Sequence, residues 1–263
     1  MAEPLLLLEH VGKRFDGLLA VDDVSLAIAA GGVTALIGPN GAGKTTLFAI
    51  ISGFQPPSAG KIFHDGTDIT GLPPHLLARR GIARTFQIAQ PFAGLSVREN
   101  IAVGAHLWRR ARADALAAAA EIAAAVGLGD LLDRPASDLT TAGQKRLEVA
   151  RALATAPKLL LLDEVLAGLN PGEVAGMVPV LRALTERGIT ILMIEHVMQA
   201  VMRLAAHVFV LVEGRIVAEG APSAVVGNPR VVEAYLGRGA AARLAAGTAG
   251  AAGTAGTAGG AHA

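Results

Sequence analysis

Cysteine is absent from this chain of 263 residues, which excludes disulfides and thiolate metal sites and is compatible with a reducing compartment. An excess of either charge is also missing. The 23 Lys and Arg against 22 Asp and Glu leave a formal +1, so no global field argues for a nucleic-acid partner. Nor does any apolar run approach the roughly 20 residues that span a bilayer; Leu159–Leu162 is only a strand's worth. The opening Met1-Ala2-Glu3-Pro4 is acidic before a short Leu run, unlike a secretory signal. These absences predict a soluble chain that reaches a membrane only through a partner. What is present is a hydrophobic fraction of 52%, inflated by Ala but ample for a core. The length fits one large α/β domain, or one with a smaller lobe.

The most informative string is Gly38-Pro39-Asn40-Gly41-Ala42-Gly43-Lys44-Thr45-Thr46. It follows the apolar run Val33–Ile37 and precedes a helical pattern from Leu47 to Ile51, the strand, turn and helix setting of a phosphate-binding loop. Glycines let backbone N–H groups converge on an anion, Lys44 can reach β- and γ-phosphates, and the Thr45 hydroxyl is placed for Mg²⁺. A nucleoside triphosphate site is predicted.

A second element supports it. Leu159–Leu162 followed by Asp163-Glu164 reads as a buried strand ending in two acids, at the sheet edge where open α/β folds bind ligands. Asp163 would hold the Mg²⁺ shell, and Glu164 would orient or deprotonate the water that attacks the γ-phosphate. The alternative is a helix-capping acid. His196, just past the strand-like Ile189–Ile194, can hydrogen-bond a γ-phosphate or be structural, and position alone leaves both open. Gln87 can offer a carbonyl to Mg²⁺ or hold water, and is uninformative by itself. Phe15 can stack on an adenine or pack in the core.

Around these elements, Leu5–Val11 and Val24–Ile28 read as strands and Asp65-Gly66 as a turn, so residues 5–30 and 58–70 suggest an antiparallel layer. Residues 71–137 hold helical stretches, most clearly Arg109–Val126 ended by Gly127. Helices at Lys145–Thr155 and Pro171–Arg187 alternate with strands at Lys158–Leu162 and Ile189–Ile194, the pattern of a covered parallel sheet. Val208–Val212 and Arg215–Val217 read as a terminal hairpin. From residue 240 to 263 the chain is Ala, Gly and Thr with little else, which predicts a disordered tail.

Taken together, Phe15, residues 38–46, Gln87, Leu139-Thr140-Thr141-Ala142-Gly143-Gln144, residues 159–164, Ala167-Gly168-Leu169-Asn170 and His196 resemble, in type and order, the ATP-binding subunit of an ABC transporter. The resemblance covers about residues 5–238. It implies an α/β fold with a P-loop NTPase core, an antiparallel β subdomain and a helical subdomain at about 88–155. Ile82–Gln87, Leu95–Asn100, Ala167–Pro171, Ile194–His196 and Asn228–Gly237 are similar to LivG-type ATPases of branched-chain amino-acid importers.

That likeness implies an ATPase with Glu164, His196 and Lys44 catalytic, and with Thr45, Gln87 and Asp163 around Mg²⁺. ATP would be bound by Phe15, Gly38, Pro39, Asn40, Gly41, Ala42, Gly43, Lys44, Thr45, Thr46 and Gln87. Thr140, Ala142 and Gly143 would complete the site of a second, identical or related, ATPase subunit. Two membrane permeases, contacted through a helical segment at about 88–105 with Pro91, Phe92 and Leu95, and a substrate-binding protein at one remove would complete the assembly. It would lie at the cytoplasmic face of a bacterial inner membrane. The rival expectations are a soluble ATPase of the same type in repair or translation, or a nucleotide-gated scaffold. The chain departs from the usual Leu-Ser-Gly-Gly-Gln signature at 140–143, has Val165 where proline commonly follows the glutamate, and has Asn170 where many relatives have aspartate.

Overall fold

The computed structural model describes residues 3–87 and 90–236. Segment 240–263, expected to be a tail, lies outside the described residues, as do two positions of segment 88–105.

The chain opens with β1 (Leu6–Phe15) and β2 (Leu18–Ile28), paired antiparallel across Asp16-Gly17. Both turn residues have positive φ, 39° and 107°, which suits a two-residue turn to the twist of its strands. These strands are much longer than the sequence pattern implies. Register shifts between Leu8 and Arg14, with His10 and Asp23 at positive φ, break the inward–outward alternation that would mark them. On the far side of β1 lies β4 (Ala59–His64), then the short β5 (Thr67–Asp68), giving the order β2-β1-β4-β5.

The second sheet holds β3 (Val33–Ile37), β6 (Ile82–Arg84), β7 (Leu159–Asp163), β8 (Thr190–Ile194), β9 (His207–Val212) and β10 (Arg215–Gly220). Its order is β10-β9-β3-β8-β7-β6, parallel except for the β9–β10 hairpin at Glu213-Gly214. Every residue of β3, β7 and β8 is buried, and alternate residues serve opposite faces. Leu36, Leu161, Leu192 and Ile194 pack with the first sheet and with Leu47, Phe48 and Ile51 of α1 (Lys44–Ile51). Ile37, Leu160, Leu162 and Met193 face the other way, into a cluster built with the remaining helices. A sheet apolar on both faces must be covered twice, and this one is.

The other helices are α2 (Pro74–Arg79), α3 (Val97–Ala105), α4 (Arg112–Ala125), α5 (Thr141–Leu153), α6 (Pro171–Glu186), α7 (Met198–Leu204), α8 (Pro222–Val226) and α9 (Pro229–Leu236). Ala115, Ala119 and Ala123, four apart, form a buried stripe on α4 that packs with α3 and α5. Helix α5 starts at Thr141 rather than Lys145, because the Thr140 hydroxyl accepts the Gly143 N–H at 3.2 Å and caps an otherwise weak first turn. From Gln90 the chain is not helical until Val97. Buried Asn100 organises Phe92–Ser96 instead, accepting the Phe92 N–H at 2.9 Å and donating to the carbonyls of Phe92, Leu95 and Ser96. A Ser96–Glu99 capping box then starts α3.

Helix α3 meets the end of α5 closely at Gly104, where a Cβ would lie 2.6 Å from the Arg151 carbonyl oxygen and 2.9 Å from the Ala154 Cβ. Alanine gains about 1 kcal/mol in helix propensity over glycine, but overpacking typically costs about 1–3 kcal/mol. The clash is with backbone, which yields little, so the second effect wins. Gly104→Ala is predicted to lower stability by up to about 2 kcal/mol in urea unfolding; a raised midpoint would contradict this packing.

Candidate active site

Four neighbouring strands, β3, β8, β7 and β6, run parallel and end at one edge of the sheet, and each contributes to the site. From β3 comes the glycine loop. A Cβ at Gly43, where φ is 100°, would come within 2.3 Å of the Ala20 carbonyl oxygen, so this position accepts only glycine. Asn40 to Thr46 line a cavity of about 650 Å³ whose other walls are Gln87, Glu164, Leu18–Ala20 of β2 and the Glu213-Gly214 turn. That turn is tied in: the Gly214 N–H donates to the Ala42 carbonyl and the Asp22 N–H to the Gly214 carbonyl, each at 2.9 Å. Gly38 and Pro39 are outside the cavity wall. Their carbonyls accept from Lys44 Nζ at 2.7 and 2.8 Å, holding the ammonium at the loop's root. Burial lowers the Lys44 pKa, while the nearby carboxylates of Glu164 and Asp163 oppose the shift.

The ends of the other three strands meet on one carboxylate. Glu164 follows β7 with a φ of 51°, an uncommon conformation for a residue with a side chain. Its Oε2 accepts from Gln87 Nε2 at 2.7 Å and its Oε1 accepts from His196 Nε2 at 2.5 Å, which requires that imidazole nitrogen to carry the proton. Position alone left Gln87 and His196 undecided, and the structure brings both to Glu164.

Asp163 is buried, with Oδ2 paired to Arg84 at 2.8 Å and Oδ1 without a hydrogen-bond partner. Thr45, Gln87 and Asp163 line a second cavity, of about 510 Å³, that shares the first cavity's wall at Thr45 and Gln87. A hydroxyl, an amide and a carboxylate on residues that line one space are hard oxygen donors, and they fit Mg²⁺ held jointly with phosphate oxygens.

Two sets of expected residues are not brought here. Phe15, at the end of β1, is exposed with the Lys13 ammonium 4.9 Å over its ring, and Leu18 and Leu19 wall the cavity in its place. Thr140, Ala142 and Gly143 open α5, away from this cavity. Ala142 is helical, so its Cβ causes no backbone strain. Thr140 and Gly143 are bonded to each other, whereas the N–H groups of Thr141 and Ala142 have no partner among the described residues.

Sequence reasoning missed three residues, of which Lys145 and Glu195 are buried and Arg84 is half-buried. Arg84 pairs with Asp163. Lys145 of α5 donates to the backbone carbonyls of Gln87 at 2.9 Å and Glu164 at 3.4 Å. Glu195, beside His196, accepts the Leu166 N–H at 2.9 Å. The one available signal was an ionisable residue inside or beside an apolar strand, at Arg84 and at Glu195.

A family model described as ABC transporter matches residues 21–167, and one described as Branched-chain amino acid ATP-binding cassette transporter matches residues 215–241. The chain is 39% identical over 253 residues to the high-affinity branched-chain amino acid transport ATP-binding protein BraF of Pseudomonas aeruginosa, covering 90% of this chain and 99% of that one. Identity to LivG of Salmonella typhimurium is 40%, with the same coverage. A solved nucleotide-free ATP-binding cassette from an ABC transporter superposes with a TM-score of 0.82 at 34% identity, covering 88% of this chain and 98% of that one. The ADP conformation of an ATP-binding cassette gives the same score and identity over 90% of this chain and 100% of the other.

Burial pushes the Glu195 carboxyl up to about 7 from an ordinary 4.5, against the lowering effect of backbone N–H groups of Leu166, Val197 and His196. The folded protein thus holds a proton there that the unfolded chain has released, and stability falls as pH rises from about 4.5 to about 7. The full loss is up to about 3 kcal/mol. Glu195→Gln, neutral throughout, is predicted to gain about that much on wild type between pH 4.5 and pH 8 in urea unfolding. A pH-independent difference would contradict the assignment.

Proposed function

The chain belongs to the ATP-binding subunits of ABC transporters, and from that membership we propose that it drives uptake of branched-chain amino acids through partner permeases. The observation that carries the reading is the meeting of Gln87 and His196 on the two oxygens of Glu164, beside the Lys44 loop. The solute rests on the likeness to BraF and LivG and on the match at residues 215–241.

In the proposed reaction water attacks the γ-phosphorus, the bond to the β–γ bridging oxygen breaks, and the proton lost by water passes to Glu164. Loop N–H groups and the Lys44 ammonium hold the β- and γ-phosphates, where Lys44 exchanges the carbonyls of Gly38 and Pro39 for phosphate oxygens. Thr45, Gln87 and Asp163 would hold Mg²⁺, which when bound draws charge from the phosphate oxygens. Glu164 is most open to water when Gln87 and His196 release it. Gln87 is then free for the metal side and His196 for the γ-phosphate. The unpartnered N–H groups of Thr141 and Ala142 at the start of α5 favour a head-to-tail pair in which each subunit caps its partner's nucleotide.

No helix among the described residues is long and apolar enough to cross a membrane. The proposed place is the cytoplasmic face of the inner membrane, held there by permeases. The exposed rings of Phe54, Phe86 and Phe92, with Val103, surround cavities next to Gln87 and offer permeases an apolar seat coupled to the site. Arg151 lies 4.7 Å over the Phe92 ring and stiffens that rim.

Glu164→Gln is predicted to retain ATP, accumulate an ATP-bound dimer, and slow phosphate release by a factor of roughly 10² or more. Wild-type turnover of the assembled complex would remove Glu164 from its role. In that background Ala142→Asp should abolish the dimer on sedimentation with ATP, since it sets a carboxylate against the partner's triphosphate; an undiminished dimer would exclude the start of α5 from the composite site. Uptake of labelled leucine by the reconstituted transporter tests the solute, and transport of an amide or urea alone would reject it.

A further inference from the structure

Lys145 occupies an unusual position for a lysine. It lies one turn into α5, is 7% exposed, and has no carboxylate within ion-pair distance among the described residues. Its ammonium donates instead to two neutral carbonyls, those of Gln87 at 2.9 Å and Glu164 at 3.4 Å. The side chains of those same two residues meet at 2.7 Å. The result is a closed ring: ammonium, Gln87 backbone, Gln87 amide, Glu164 carboxylate, Glu164 backbone, and the ammonium again.

Stability does not explain this choice. Burying an ammonium is costly unless its donors are well satisfied, and an apolar side chain of similar length is often as stable or more so. What the ring fixes is Glu164. That residue is held at positive φ, a conformation that needs outside support, and the bond to its carbonyl supplies it. The same N-terminal stretch of α5 carries Thr140–Gly143, so the part of the helix that would face the partner's nucleotide has, one turn further on, an ammonium on the backbone of Glu164.

We propose that Lys145 is a positioning residue that ties the start of α5 to Gln87 and Glu164, so that engagement of the partner's nucleotide sets the carboxylate in the subunit's own site. This rests on the catalytic reading of Glu164 given above. Docking of the α5 start against a nucleotide draws on the strut, moves the Gln87 and Glu164 carbonyls together, and shifts the balance between a carboxylate held by Gln87 and one free for water. The two sites of a dimer are thereby linked through each subunit's own α5.

The test is a set of variants of the transporter purified with its permeases. Lys145→Met keeps the stem and the burial but removes the donors, and Lys145→Arg keeps a charge and donors. Lys145→Met is expected to melt at or above the wild-type temperature, to bind a fluorescent ATP analogue as wild type does, and to lose on the order of 10-fold in kcat. Lys145→Arg should recover some of that loss. In a Glu164→Gln background the further substitution Lys145→Met should cost almost nothing, because the group being positioned is gone. A wild-type kcat in Lys145→Met, or an equal further loss in the Glu164→Gln background, would overturn the proposal, as would parallel losses in melting temperature and ATP affinity. Wild-type turnover in Glu164→Gln alone would overturn the catalytic reading of that residue, and this proposal with it.

Discussion

A carboxylate at the end of a strand that is apolar along its whole length cannot be left unpaired, and the answer to Asp163 is Arg84, at 2.8 Å. The guanidinium is itself shielded, with the rings of Phe48, Phe54 and Phe86 centred 5.7 to 5.9 Å away. Removing either partner would strand a buried charge, a change that typically costs about 3–5 kcal/mol. Since Arg84 ends β6 and Asp163 ends β7, the pair fixes where the two strands stop. Thr85 adds to it, donating its N–H to the Leu161 carbonyl and accepting the Asp163 N–H. The position of Gln87 follows, only two residues on. One oxygen of Asp163 stays free of the pair, and Asp163 lines the cavity that Thr45 and Gln87 also line.

The local elements of this arrangement were legible in the sequence. A glycine loop between a strand and a helix declares itself within nine residues, and two acids after four leucines need no distant partner to be noticed. The fold class followed from the alternation of apolar runs with helical stretches after Leu139. What could not be read were contacts between residues far apart. Arg84 meets Asp163 across 79 positions and Lys145 meets Gln87 across 58. Nothing in either neighbourhood announces the other. Strand lengths failed for a different reason, since β1 and β2 carry bulges that disrupt their alternation. The start of α5 was missed because Thr-Thr-Ala-Gly has poor helix propensity and only the Thr140 cap turns it into a first turn. Gln87 and His196 became readable only through order in the family, and Phe15 was placed by that order at a cavity it does not line.

Glu164 illustrates how much a single position can be asked to hold. Its N–H donates to the Ile194 carbonyl, its own carbonyl accepts from Lys145, and its two carboxylate oxygens are engaged from opposite sides. Positive φ at a residue with a side chain costs on the order of 1–3 kcal/mol and persists only where the surroundings over-determine it. Four attachments, from α5 and from the ends of β6 and β8, meet that condition. Val165, buried where relatives commonly have proline, leaves the backbone at Glu164 without the restriction a following proline imposes.

The bonds from Asp22 to Gly214 and from Gly214 to Ala42 join the edge of the antiparallel sheet to the edge hairpin of the parallel one, with the glycine loop as the third member of the seam. The loop is therefore tied to both sheets. Loosening it means pulling the sheets away from each other, and whatever grips the loop also grips the seam. Ligand occupancy and resistance to heat are one thermodynamic account here: a nucleotide at a hundred times its dissociation constant would add about 2.7 kcal/mol to the folded state, and the N-terminal layer would share in it.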